Sequence, residues 1–245
     1  MQKQFPMPFQ KGVKFVLCSG RSNMSLDVLN EQLGLVRENN YTVAFNGSTI
    51  YENVSKKKLI NHLLKGEYGG EVLDILRQYP VNVLAYENEK LWCDKPTERI
   101  KRYARNSFIP YYVTEDLREL VSHDFSKIIA ISDNEKLSQI QQACNSCGIT
   151  EKVGVFFSGE DILEFNPYNI DKGTGVKDLL EKINIDPSEA IAIGDNFNDI
   201  PMIENVGMGV AVKNGVDEIK SVANYVTEND NNHNAVAEVI YKFIM

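Results

Sequence analysis

The sequence predicts an α/β protein, with a doubly wound parallel-sheet core built from both ends of the chain and an inserted α+β domain between them. Three observations carry this. Short β-branched runs alternate with amphipathic helical periods in the first 50 residues and again from about residue 168. Between these regions the pattern changes to hairpin-like strands and scattered helices. Finally, 245 residues at 43% hydrophobic content are enough to bury one large core or two modest ones. The core is therefore placed at 1–50 and 167–245, and the insert at 51–166.

In chain order, "VKFVLC" (13–18) reads as a strand ended by "SGR", and an amphipathic helix follows at about 23–33, stopped by Gly34. "YTVAFNG" is the next strand. In the insert, "STIYEN", "VNVLAYENE" and "KLWCD" read as hairpin strands, with helices near 70–79, 96–107 and 134–147. Alternation then returns: a helix at 172–183, the strand "AIAIG", a helix at about 198–205, the strand "GVAV", a helix near 215–222, "YVT", and a closing helix from 233. Ligands of open α/β sheets bind beyond the carboxyl ends of the strands, so the loops after "VKFVLC" and "AIAIG" are expected side by side.

Composition excludes several function classes. A net charge of −8 and a pI near 5.0 disfavour unspecific attraction to nucleic acid or an anionic membrane. No run approaches the roughly 18 apolar residues of a membrane span, and "MQKQFPMPFQ" lacks the pattern of a signal peptide, so a soluble cytoplasmic protein is expected. The cysteines (Cys18, Cys93, Cys144, Cys147) are too scattered for a disulfide framework, and the isolated Cys144-x-x-Cys147 reads as free thiols rather than a zinc site. His62, His123 and His233 stand apart, the lysines at 56–58 read as solvated loop, and Trp92 with Tyr86 reads as hairpin packing.

The chemistry concentrates at the strand ends. Ser19 and Gly20, between a strand and a helix, offer a hydroxyl and backbone N–H groups to a phosphate oxygen, although Ser-Gly is also an ordinary turn. Asp195 and Asp199, four residues apart, put two carboxylates where a hard divalent cation, most simply Mg²⁺, would relieve their repulsion; helix capping is the alternative. Asn198 adds an amide suited to a phosphoryl oxygen. Lys172 opens a helix beside Gly173 and Gly175, contrary to the dipole preference, which favours an anionic partner for its ammonium.

Taken together in this order, "VKFVLCSGR", "VAFNGSTIY", "DKGTGVKDLL", "IAIGDNFNDIPMIENVGMGVAV" and "NYVT" resemble the haloacid dehalogenase superfamily, specifically its Cof-type phosphatases with a large α/β cap. The resemblance runs from about Gly12 onward and implies Mg²⁺-dependent phosphoryl transfer from small phosphorylated metabolites through an aspartyl-phosphate. It implies that Ser19 and Gly20 hold the phosphoryl group, Lys172 neutralises its oxygens, Asn198 contacts it, Asp195 anchors Mg²⁺ and Asp199 supports the metal site. The insert becomes a cap that chooses the substrate.

One departure stands out. The family begins with a strand ending in Asp-x-Asp-Gly-Thr, whose first Asp attacks phosphorus, and no Asp-x-Asp occurs in this chain. Only 18 residues precede Ser19, against roughly 30–40 for a strand, loop and helix of ordinary length. The expectation is a shortened N-terminus, an absent first core strand, and little or no activity by the family mechanism. A catalytically silent module that still binds phosphate and Mg²⁺ is the alternative.

Overall fold

The computed structural model of the chain describes residues 12–245. "MQKQFPMPFQ", to which the sequence reading assigns no core strand, lies outside them. The chain forms two compact units. Unit one comprises the residues through Gly20, Leu29–Ile60 and Asp171–Met245; unit two comprises Arg21–Val28 and Asn61–Ile170.

Strand β1 (Val16–Cys18) is only the apolar end of "VKFVLC" and leads through Ser19 and Gly20 to helix α1 (Asn23–Leu33), which Gly34 terminates at φ +69°. β2 (Tyr41–Ala44) lies parallel to β1, with Cys18 opposite Val43; β3 (Thr49–Glu52) returns antiparallel, and β4 (Lys58–Asn61) completes a four-stranded sheet in sequence order. Every residue of β2 is buried, as expected for an interior strand of an α/β sheet.

Unit two is a six-stranded sheet with helices. Its elements are α2 (Gly66–Leu76), β5 (Asn82–Glu87), β6 (Lys90–Cys93), α3 (Glu98–Asn106), β7 (Tyr111–Val113), β8 (Lys127–Ile131), α4 (Asn134–Ser146), β9 (Val153–Gly159) and β10 (Ile162–Pro167). The strand order is β7-β6-β5-β8-β10-β9. Ala85, Ile128, Ala130, Leu163 and Phe165 face one side and pack with Val72, Leu73 and Leu76 of α2 and Leu137 and Ile140 of α4. The sequence reading assigns no element to β8, β9 or β10, yet "KIIAI" at the centre is buried at all five positions. Burial on both faces erases the alternation by which a strand is recognised. Trp92 and Tyr86 are set on opposite faces, because Trp92 pairs with Ala85 and Tyr86 with Leu91. Trp92 meets Tyr112 instead, with ring centroids 5.4 Å apart. At the end of α4, Cys144 is buried, its thiol pushed up to about 12 by burial, while Cys147 is exposed; both are free.

The chain then returns to unit one with α5 (Lys172–Lys182), β11 (Ile191–Gly194), α6 (Ile200–Glu204), β12 (Met208–Ala211), α7 (Asp217–Val222), β13 (Tyr225–Val226) and α8 (Ala235–Phe243). The three strands form a wholly parallel sheet. α6 is shorter than the helix expected at 198–205, because Phe197–Asp199 forms a 3₁₀ turn ahead of Pro201 in the first helical turn. α5 serves both sheets: Leu179 packs with Tyr41, Val43 and Ile50, while Val176 packs against the cluster of Ala192, Met202 and Ala211. Cys18 touches both clusters. Among the described residues β1 pairs only with β2 and β11 only with β12, so each is an edge of its sheet.

Candidate active site

The polar residues singled out at the strand ends of unit one are joined by a continuous set of contacts. The first loop is fixed through its backbone. The Ser19 N–H donates to the Val43 carbonyl at 2.9 Å, and the Ser19 carbonyl accepts from the Asn46 N–H at 3.0 Å. Gly20 follows, with the Asn46 side-chain amide so close that a Cβ would stand 2.9 Å from its oxygen.

Helix α5 begins where it does because Asp171 caps it, its carboxylate accepting from the Thr174 N–H at 2.8 Å and the Thr174 hydroxyl at 3.0 Å. The cap leaves Lys172 in the first turn, pointed inward and only 7% exposed. Its ammonium meets Asp199 Oδ1 at 2.5 Å across 27 residues of sequence. The other Asp199 oxygen accepts from the backbone N–H groups of Asp195 at 3.0 Å and Asn196 at 3.2 Å. Asn196 caps the 3₁₀ turn, as the capping alternative expects, and Asp199 adds an ion pair with Lys172 that the sequence did not suggest.

Asp195 and Asp199 are engaged differently. Asp199 is buried and holds Lys172 and the loop backbone; Asp195 is exposed, with Oδ2 accepting from the Asn231 amide at 3.4 Å. Asn198 donates from Nδ2 to Asn46 Oδ1 at 3.2 Å, which brings the loops after β1 and β11 together through a third loop. Burial pushes the nearby Cys18 thiol up to about 12; Lys172 pulls against this, and Asp199 and Asp171 reinforce it. A neutral thiol there is a packing group, not a nucleophile.

Sequence reasoning missed Asn46, Asn231 and the capping role of Asp171. The first lies in "FNG", whose Asn-Gly pair is a turn signal that says nothing of what the asparagine touches. Of the histidines, His123 lies 3.4 Å from Glu87, and His233 lies 2.7 Å from Asp230 on the segment that also carries Asn231.

The two sheets of unit one thus carry a Ser-Gly turn and a carboxylate loop at their strand ends, with a buried lysine at the start of the helix between them. The sequence matches the family model described as haloacid dehalogenase-like hydrolase over residues 8–240. The chain belongs to that family and is of Cof type. A haloacid dehalogenase-like hydrolase from Bacteroides thetaiotaomicron superposes with a TM-score of 0.87 at 28% identity, covering 95% of this chain and 87% of that one. The protein TM0651 of Thermotoga maritima gives 0.85 at 29%, covering 97% and 88%. The 5-amino-6-(5-phospho-D-ribitylamino)uracil phosphatase YcsE of Bacillus subtilis is 25% identical over 238 residues, covering 96% of this chain and 84% of its own. Among the described residues no helix is long and apolar enough to cross a membrane.

Proposed function

We propose that unit one binds the phosphoryl group of a small phosphorylated metabolite in the manner of a Mg²⁺-dependent phosphatase, and that this polypeptide by itself turns such esters over at a trace rate or not at all. The carrying observation is that hydrogen bonds through Asn46 join the Ser19 loop to Asn198, whose chain neighbour Asp199 holds Lys172. In this reading the Ser19 hydroxyl and the Gly20 backbone take phosphoryl oxygens, Lys172 supplies the positive charge, and Asn198 donates from its amide. The small phosphorylated substrate named for the Bacillus subtilis relative agrees with a metabolite as ligand.

The donor set fits a partial Mg²⁺ site. Asp195 presents an exposed carboxylate, and no group of three or more His, Cys, Asp or Glu side chains suited to a metal converges among the described residues. Mg²⁺ commonly sits on one or two carboxylates and completes its shell with water and phosphate oxygens, so Asp195 is the residue that would hold it. Bound there, the ion would neutralise charge on the phosphoryl group. Asp199, with both oxygens engaged by Lys172 and the loop, would act by shaping the loop.

The low turnover proposed for this polypeptide by itself rests on one sequence fact, that no Asp-x-Asp pair occurs in these 245 residues to attack phosphorus and manage the proton; a silent binding module is the alternative reading. Calorimetric titration with inorganic phosphate, with and without Mg²⁺, tests the binding reading. The intact chain is expected to bind, and Asp195→Asn to lose the Mg²⁺ enhancement while unfolding within a few degrees of the parent, because Asp195 is exposed. Absence of phosphate binding under both conditions would sink the reading. Robust hydrolysis of a generic phosphate ester, abolished by Asp195→Ala, would instead overturn the proposed inactivity.

A further inference from the structure

We infer that Asn46 is a positioning residue of the phosphate pocket, the piece that locks its separate loops into one geometry; this rests on the phosphate-binding reading above. Nothing in the composition of "VAFNGST" announces such a role. It emerges from where the turn Phe45–Gly47 is wedged.

Three contacts converge on that turn. Towards the first loop, the Asn46 N–H holds the Ser19 carbonyl at 3.0 Å, and its side-chain amide lies against Gly20, where any Cβ would meet Oδ1 at 2.9 Å and Nδ2 at 3.0 Å. Towards the third loop, Asn46 Oδ1 accepts from Asn198 Nδ2 at 3.2 Å across 152 residues of sequence. Behind it, Gly47 at φ +104° presses on the start of α5 so closely that a Cβ would stand 2.1 Å from the Asp171 carbonyl oxygen. The turn thus touches the segments bearing Ser19, Lys172 and Asn198.

The backbone adopts an unfavourable form to do this. Phe45 and Asn46 are consecutive non-glycine residues at φ +51° and +54°, each 2% exposed. Asparagine tolerates this region better than most residues, but a bulky phenylalanine does not. Such outliers persist where the surroundings over-determine them. The bond from Asn198 also restrains the Asn198 amide, since one of its N–H groups is spent on Asn46. Without Asn46, Asn198 is a rotamer-free side chain on a half-buried turn, and its ordering must then be supplied by the ligand.

The test is a double-variant cycle read by titration with inorganic phosphate in the presence of Mg²⁺. Asn46→Gly keeps the left-handed backbone while deleting the amide, so the fold is retained. Its phosphate affinity is expected to fall about tenfold, as with Asn198→Ala, and the double variant to be no weaker than the worse single one, since the two amides act as one unit. The side-chain amide resonances of Asn198, assigned by their loss in Asn198→Ala, are expected to shift in Asn46→Gly without phosphate. Should Asn46→Gly fail to fold, Gly20→Ala displaces the same amide from the opposite side and is expected to give the same loss. Phosphate affinity within twofold of the parent, or losses that multiply in the double variant, overturns the inference. If the parent binds phosphate and Lys172→Ala weakens it while Asn46→Gly binds normally, only the role of Asn46 falls. A parent that does not bind phosphate removes the underlying reading and this inference with it.

Discussion

Each unit buries a lysine against a carboxylate, and the two pairs differ in what surrounds them. Lys172 and Asp199 of unit one have side chains 8% exposed apiece; Lys127 and Glu164 of unit two are 2% and 6% exposed and meet at 2.7 Å. Lys127 and Glu164 sit on the adjacent strands β8 and β10, in mid-sheet, beside Tyr86 and Tyr103. Burial opposes the Lys127 charge, but attraction from Glu164 and Tyr103 outweighs it and holds the ammonium above the usual lysine range. Lys172 and Asp199 sit instead at strand ends, on a helix start and a turn, where loop backbone N–H groups bind Asp199 and the adjacent Asn198 bonds a second loop. Burying an ion pair therefore does not mark a site. Placing it among converging loops does.

The largest expected effect breaks this comparison at its charged centre. Lys172→Ala and Lys127→Met should each strand a buried carboxylate and cost about 3–5 kcal/mol in denaturant unfolding. Only Lys172→Ala should also weaken inorganic phosphate binding, by about 10–100-fold, the scale of a charged hydrogen bond. Equal effects of both variants on phosphate binding would erase the distinction. A sharper version replaces both members of the unit-two pair: Lys127→Met with Glu164→Leu is expected to recover most of the single-variant loss, since a packed apolar pair of similar volume is near neutral or better. A double variant as unstable as the single one would show that this pair does more than satisfy itself.

A smaller effect separates the loop next to Asp195 from both pairs. Glu238 on α8 is held at about 2: partial burial opposes its ionisation, but donors from the Tyr225 hydroxyl, the Glu228 N–H, and the side chain and N–H of Asn229 prevail. A carboxylate depressed in the folded state adds stability that is fully present above its unfolded value, near 4.5, and is lost as pH falls towards 2. Glu238→Gln should therefore lower stability at neutral pH and flatten the loss between pH 4.5 and 2, measured by urea unfolding across that window. An unchanged acid limb would show that the grip on residues 228–229 is not electrostatic.

The sequence by itself determined most elements of unit one and the identities of the strand-end residues, although it read "STIYEN" into the insert and assigned nothing to β4. Their signals are local: β-branched runs, a Lys-Gly helix start, and a Gly-Asp loop leaving a strand. The strands β8 and β10 escaped it because a strand buried on both faces shows no period of two. Tertiary structure alone decided that one Asp199 oxygen meets Lys172 while the other accepts from the Asp195 and Asn196 N–H groups. It alone brought Asn46 between Gly20 and Asn198. Those contacts depend on where loops separated by 26 and 152 residues are set down by the packing of α5 across two sheets, and no local pattern encodes a distance that long-range packing fixes.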